Sequence, residues 1–328
     1  MENPFTAITA SLPAGGSVSA CGVSHMRGMR AAMEDAHAAH PIPGSPFYLL
    51  SVFDGHGGRG MADFAASRLL AAVTATREWA AAAAAGFCDD GAVAAALRAG
   101  FADCDAAAYA AAQGGAGDRS GSTAIVALVS LRRVFVANCG DSRAVLVRAA
   151  GAEALSRDHK PDAHAERARL AALAGAASYK GGYFAGLAVS RTLGDFRTKL
   201  DHARAAPHAP PPLLPTAEQT VTSAPEVVVV ERAAAGREAA GGDFLIVACD
   251  GVWDVISNEE AAACVRASRA AGAAPAHAAA ALIRECLERG SSDNMTAIVA
   301  ILADEGAAAQ CGGAEGPTEG GGGSTVSV

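Results

Sequence analysis

Three aspartates stand where apolar runs stop. Asp54 follows Leu49-Leu50-Ser51-Val52-Phe53, Asp250 follows Phe244-Leu245-Ile246-Val247-Ala248-Cys249, and Asp293 precedes Met295–Leu302. Each has a small or turn-forming neighbour: Gly55, Gly251 and Asn294. Continuous apolar runs of this length read as strands buried on both faces. An ionisable carboxylate at the rim of such a strand is costly unless something cationic neutralises it. Three that converged would repel one another, and a shared divalent cation is the economical resolution. The glycine after Asp54 lets its own carbonyl approach an ion closely. No His or Cys cluster adjoins the three in sequence, so the donors would be oxygens, which selects Mg²⁺ or Mn²⁺ over Zn²⁺. Taken singly, each aspartate also fits a plain turn or helix cap, as Asp54 does before Gly55-His56-Gly57-Gly58. The repetition of the device favours the metal.

A second chemistry competes. Cys21 and Arg27 satisfy Cys-x5-Arg, the spacing that lets backbone amides and one arginine cradle phosphate around a thiolate. The intervening Gly22-Val23-Ser24-His25-Met26 has a single glycine, and no histidine precedes Cys21, so the match is thin. The chain has no Gly-x4-Gly-Lys-Ser/Thr loop, no His-Glu-x-x-His and no dinucleotide fingerprint. His164-Ala165-Glu166 is half of a zinc deaminase motif whose cysteine half is missing.

The elements that must position these residues follow from periodicity and punctuation. Strands are expected at 17–26, 47–53, 121–130, 134–139, 144–148, 227–230, 244–249 and 295–302. Helices are expected through 59–85, 90–112, 162–174, 258–270 and 275–289. Residues 30–37 fit either state, but Arg30 and Glu34 share a face in both. Strands mostly follow strands and helices come in pairs, which favours α+β with antiparallel sheets over a doubly wound fold. Residues 175–186 are glycine-rich and 199–223 form an irregular excursion around Pro210-Pro211-Pro212. The tail from 304 reads as a flexible glycine-rich segment and 1–16 as an N-terminal extension, leaving one catalytic domain at 17–303.

Composition narrows the partners. At 328 residues and 51% hydrophobic content the chain can bury a large core. A net charge of −8, with no basic cluster and no aromatic ladder, argues against nucleic acid and anionic membrane. No run reaches the roughly 18 apolar residues of a spanning helix, and the N-terminus lacks a cationic flank and an apolar core, so a soluble, intracellular, monomeric protein of cytoplasm or nucleus is expected. The eight cysteines contain no Cys-x-x-Cys and read as buried thiols.

The motifs, taken in order, carry a resemblance. Arg30…Met33-Glu34-Asp35-Ala36-His37, Asp54-Gly55-His56-Gly57-Gly58, Gly121-Ser122-Thr123-Ala124 and Asn138-Cys139-Gly140-Asp141-Ser142-Arg143 open the series. Asp158-His159-Lys160-Pro161, Leu187–Asp195, Ala248–Asp254 and Ser292–Thr296 complete it. Over about residues 20–303 the chain resembles the metal-dependent serine/threonine phosphatases of the type 2C family. The likeness implies a four-layer αββα sandwich, two antiparallel sheets between helices with a metal cleft at one edge. It implies that Asp54 bridges two ions, that the Gly55 carbonyl binds one, and that Asp250 and Asp293 bind the other. Glu34 and Asp35 would act mostly through metal-bound water. Asp141, with Asp254, matches a weaker third site, although Asp141-Ser142-Arg143 reads equally well as a β-turn.

The implied reaction is hydrolysis of phosphoserine and phosphothreonine in proteins. Two ions about 3.5–4 Å apart lower the pKa of a bridging water and hold it in line with phosphorus. Arg30 offers a planar donor pair to the phosphoryl oxygens, and His56 can protonate the departing oxygen. Gly182-Tyr183-Phe184-Ala185-Gly186 departs from the family's usual segment before the Leu-Ala-Val-Ser-Arg run, in the region of a substrate-side flap. A non-catalytic phosphoprotein-binding module on the same scaffold is the other reading, opposed by the presence of Arg30, Asp54, Asp250 and Asp293 together.

Overall fold

The computed structural model describes residues 8–12, 16–112, 119–174, 179–204, 210–232 and 242–303. The glycine-rich tail expected from 304, and the first seven residues of the expected extension, lie outside them. In chain order the strands begin with β1 (Ile8–Leu12), β2 (Val18–Met26), β3 (Ala36–Pro41), β4 (Tyr48–Phe53) and β5 (Gly55–His56). Helices α1 (Gly60–Thr74), α2 (Arg77–Ala84) and α3 (Asp90–Ala111) follow. Next come β6 (Gly121–Ser122), β7 (Ala124–Val129), β8 (Arg133–Cys139), β9 (Arg143–Arg148), β10 (Gly151–Ala154) and α4 (His164–Ala174). The short strands β11 (Tyr179–Lys180), β12 (Tyr183–Phe184) and β13 (Leu193–Gly194) lead to β14 (Glu226–Glu231) and β15 (Phe244–Ala248). Helices α5 (Asp250–Trp253), α6 (Asn258–Ala270) and α7 (Pro275–Glu288) precede β16 (Met295–Leu302).

Two antiparallel sheets dominate, one ordered β1-β2-β16-β15-β9-β10 and the other β14-β8-β7-β4-β3. Period-two alternation decides what each face meets. In β4, Tyr48, Leu50 and Val52 point into the space between the sheets with Val23, Ile125, Val136, Leu245 and Ile298. Leu49 and Phe53 point outward, under α1 and α3, onto Leu69, Leu97 and Phe101. The outer face of the other sheet (Val145, Ile246, Val299) is covered by Val265, Leu282 and Ile283 of α6 and α7. The expected four-layer αββα order is therefore observed.

Several local expectations are refined. The helix expected through 59–85 is two, because Thr76 takes an extended conformation and its side chain caps α2 by accepting from Trp79 N–H. The strand expected over 121–130 breaks at Thr123, so that β6 joins β5 and β13 in a small third sheet at the cleft. Residues 30–35 are turn and coil, then β3 begins. The segment set apart as an extension contributes β1, which pairs with β2 from Ile8↔His25 to Leu12↔Cys21. Among the described residues no helix is long and apolar enough to cross a membrane.

Candidate metal centre

Asp54 leaves the end of β4, and its backbone is held by Thr123, whose Oγ1 accepts from Asp54 N–H at 3.2 Å and whose N–H donates to the Asp54 carbonyl at 2.9 Å. Asp250 opens α5 just past β15, and Asp293 stands just before β16. Because β15 and β16 are antiparallel neighbours, Ala248 lying against Ala297, the two aspartates share one end of their sheet. β4 lies across the sandwich from both strands. Three carboxylates from distant parts of the sequence thus meet in one cleft. Asp54 is within hydrogen-bonding reach of Asp250 and of Asp35.

The loop carrying Arg30, Glu34 and Asp35 is fastened to this end of β16 by several hydrogen bonds, three of them made by one side-chain amide. Asn294 Nδ2 donates to the carbonyls of Arg27 at 2.8 Å and Ala32 at 2.9 Å, and its Oδ1 accepts from Glu34 N–H at 2.8 Å. Met29 N–H donates to the Ser292 carbonyl at 2.9 Å. Gly55 is close-fitted: a Cβ there would overlap the Glu34 carbonyl. Arg30 reaches the cluster through Nη2, on Asp293 Oδ2. Asp35 is buried, its Oδ2 accepting from Thr296 Oγ1 at 2.6 Å, while its Oδ1 has no partner.

The electrostatics are those of crowded acids. Burial first, then the charges of Asp35, Asp250 and Asp141, push the Asp54 carboxyl well above the usual carboxylate range. Asp250 and Asp35 are raised in the same way, burial leading and neighbouring aspartates adding to it. A cation among them would reverse both costs. The orphaned Asp35 Oδ1 and the carboxylate donor set fit a hard divalent ion.

The cleft also holds a thiol that the sequence assigns to the apolar core run before Asp250. Cys249 Sγ lies within 4.8 Å of carboxylate oxygens of Asp35 and Asp54. Burial and the charges of Asp35, Asp54 and Asp250 push its pKa well up, so it stays a neutral thiol, donating to the Asn294 carbonyl and accepting from Thr296 N–H.

Asp141 is in the same neighbourhood, buried, and carries Lys160 Nζ on its Oδ2. A cation of the protein already stands where a third ion was expected, and Lys160 was not singled out by sequence as its partner. Asp254 is exposed at the end of α5, its charge felt by Asp250 and Lys160. His56 sits at the end of β5 with Nε2 2.8 Å from Asp195 Oδ2. Burial disfavours charge on this ring, but the hydrogen bond and charge of Asp195, with Asp141 and Glu34 behind it, outweigh that and raise its pKa. In the sequence only its place at the end of the Leu187–Asp195 motif marks Asp195.

The cysteine alternative does not survive the geometry. Cys21 is buried in β2, inside the layer between the sheets, and burial pushes its thiol up to about 12. Arg27 is spent on the carbonyls of Arg30 and Ala31. A thiol that cannot ionise, with no arginine over it, is no nucleophile. On the flap side, β11 and β12 form a hairpin whose Gly181 and Gly182 have φ of 58° and 88° and whose Tyr183 is exposed. Both tryptophans lie elsewhere, Trp79 on the buried face of α2 and Trp253 under the Arg143 guanidinium.

Comparison with known proteins bears on the family and the fold. The family model for protein phosphatase 2C matches residues 19–295. Protein phosphatase 1A of Homo sapiens is 35% identical over 284 residues, covering 85% of this chain and 69% of the human protein. Protein phosphatase 1B of Rattus norvegicus is 33% identical over 293 residues, covering 86% and 70% respectively. Among solved structures, a serine-threonine phosphatase 2C from Toxoplasma gondii superposes with a TM-score of 0.70 at 22% identity, covering 91% of this chain and 99% of that one.

Proposed function

The chain belongs to the protein phosphatase 2C family of metal-dependent phosphoprotein phosphatases, and from that premise we propose that its acidic cleft holds two divalent cations for hydrolysis of phosphoserine and phosphothreonine. The observation that carries this reading is the crowding of Asp54 against Asp250 and Asp35, with one buried oxygen of Asp35 left without a partner.

In this reading Asp54, the Gly55 carbonyl, Asp250 and Asp293 hold Mg²⁺ or Mn²⁺, with Glu34 and Asp35 acting through intervening water. When bound, the ions supply charge neutralisation and make a water nucleophile available near neutral pH. Arg30 binds the phosphoryl oxygens, drawing its guanidinium from Asp293 towards the substrate. His56 donates a proton to the departing seryl or threonyl oxygen. Asp141 reaches a third ion only by giving up Lys160, which makes that site the weakest. The catalytic unit runs over about residues 17–303, with β1 of the preceding segment added to its sheet, and works as a monomer.

The test is hydrolysis of a phosphothreonine peptide with Mg²⁺ or Mn²⁺, lost with chelator and restored by added metal. Metal binding without any turnover would instead support the non-catalytic phosphoprotein-binding reading.

A further inference from the structure

His56 has two ring nitrogens, and only one of them can face a substrate. Nε2 is committed to Asp195 Oδ2 at 2.8 Å, across the edge of the small third sheet. No protein partner of Nδ1 is found among the described residues.

Asp195 is held with unusual care. It has a φ of 48°, a left-handed conformation that few side chains adopt without support. Its N–H donates to the Ser120 carbonyl at 3.2 Å. The turn on either side is clamped from below by an ion pair with no access to water. Lys199, fully buried, places Nζ 2.8 Å from Asp105 Oδ2 on α3 and 2.8 Å from the Thr192 carbonyl. Asp105 Oδ1 accepts from Gly194 N–H at 2.7 Å. Both ends of the Thr192–Lys199 turn therefore answer to one buried carboxylate. Breaking such a pair leaves an uncompensated buried charge, so the turn has little freedom to move. The neighbouring strand makes room as well: a Cβ on Gly121 would overlap both the Asp195 carboxylate and His56 Nε2.

We propose that Asp195 is the positioning residue of the reaction, holding His56 Nε2 so that Nδ1 is the nitrogen presented to the departing seryl or threonyl oxygen. This rests on the reading of His56 as proton donor. The proton on Nδ1 passes to the ester oxygen as the P–O bond breaks, while Nε2–H stays on Asp195. Water supplies the oxygen that completes the phosphate. The same logic of a carboxylate fixing an imidazole's tautomer and orientation serves hydrolytic triads on unrelated folds.

The experiment compares two leaving groups in the Mg²⁺-loaded protein. A threonyl alkoxide needs a proton, whereas p-nitrophenolate leaves without one. Asp195→Asn keeps the shape and tolerates the left-handed turn, and Asp195→Gly keeps the turn while removing the carboxylate. Both should lose roughly 10- to 100-fold in kcat on a phosphothreonine peptide and under about threefold on p-nitrophenyl phosphate. Neither should lose more on the peptide once His56→Ala is present. The downfield imidazole N–H proton of His56 should vanish from the NMR spectrum of Asp195→Gly. Equal losses on both esters, an additive cycle with His56→Ala, or an unchanged resonance overturns the positioning role. If His56→Ala itself shows no difference between the esters, the proton-donor reading fails. If that difference appears in His56→Ala but in neither Asp195 variant, only the positioning role fails.

Discussion

Arg30 Nη2 lies 2.5 Å from Asp293 Oδ2, so the cation proposed to bind phosphate and a carboxylate proposed to bind metal neutralise each other. Both partners are substantially exposed, which keeps the pair weak and exchangeable. Arg30→Ala is expected to raise KM for phosphopeptide by roughly 10- to 100-fold, the worth of a charge-assisted hydrogen bond, with a smaller change in kcat. Steady-state kinetics decide it, and unaltered values for both constants remove Arg30 from the site.

Asp54→Asn and Asp250→Asn should abolish turnover yet keep the fold. The sign follows from their raised pKa values. A carboxyl that is harder to ionise in the folded state destabilises that state once pH exceeds its unfolded value. Removing the charge should leave the metal-free melting temperature at pH 7 equal to or above that of the parent. Circular dichroism melts in chelator read this directly, and a marked fall would contradict the crowding.

Metal should stabilise the parent and not these variants. At a concentration about 100 times its Kd, an ion bound only by the folded state adds about 2.7 kcal/mol. Melting curves with and without Mn²⁺ should therefore separate for the parent and coincide for Asp54→Asn. Separation in both would place the ion elsewhere.

Acid should act through Glu166. Its side chain is buried on α4 and gathers Arg169, Arg191 and Ser190 around one carboxylate. Burial opposes ionisation, but the hydrogen bonds from Arg191, Arg169 and Ser190 overcome it and bring the pKa down to about 2. A depressed carboxyl contributes stability that is complete above its unfolded pKa and is lost as pH falls towards the folded one. The contribution, on the order of 2 kcal/mol after allowance for solvent screening, should disappear between about pH 4.5 and 2. Denaturant titrations through the accessible part of that window should be flatter in Glu166→Gln; parallel slopes would refute the assignment.

What could be read from sequence depended on whether a residue's partner lay nearby in the chain. Asp54, Asp250 and Asp293 were legible because each interrupts a run whose burial is written in its own composition. The layers followed from the same runs and the paired helices between them. β3, Ala-His-Ala-Ala-His-Pro, carries little of that signal and is a strand because β4 pairs with it from Ala36↔Phe53 to Pro41↔Tyr48. Asp195 lies 139 residues from His56, and Asn294 lies 260 from Glu34. Nothing local distinguishes either from an ordinary turn residue. Lys160 on Asp141 was hidden for the same reason, and Cys249 read as core because its run is core up to the rim.

The central strands of the six-stranded sheet have a temporal consequence. β2 is flanked by β16, and Arg30 meets an aspartate 263 positions further on. A ribosome must therefore finish nearly all the described chain before the cleft can close. Products of translation that stop before β16 would carry the earlier motifs but could not close the cleft, so this phosphatase is silent until that strand has been made.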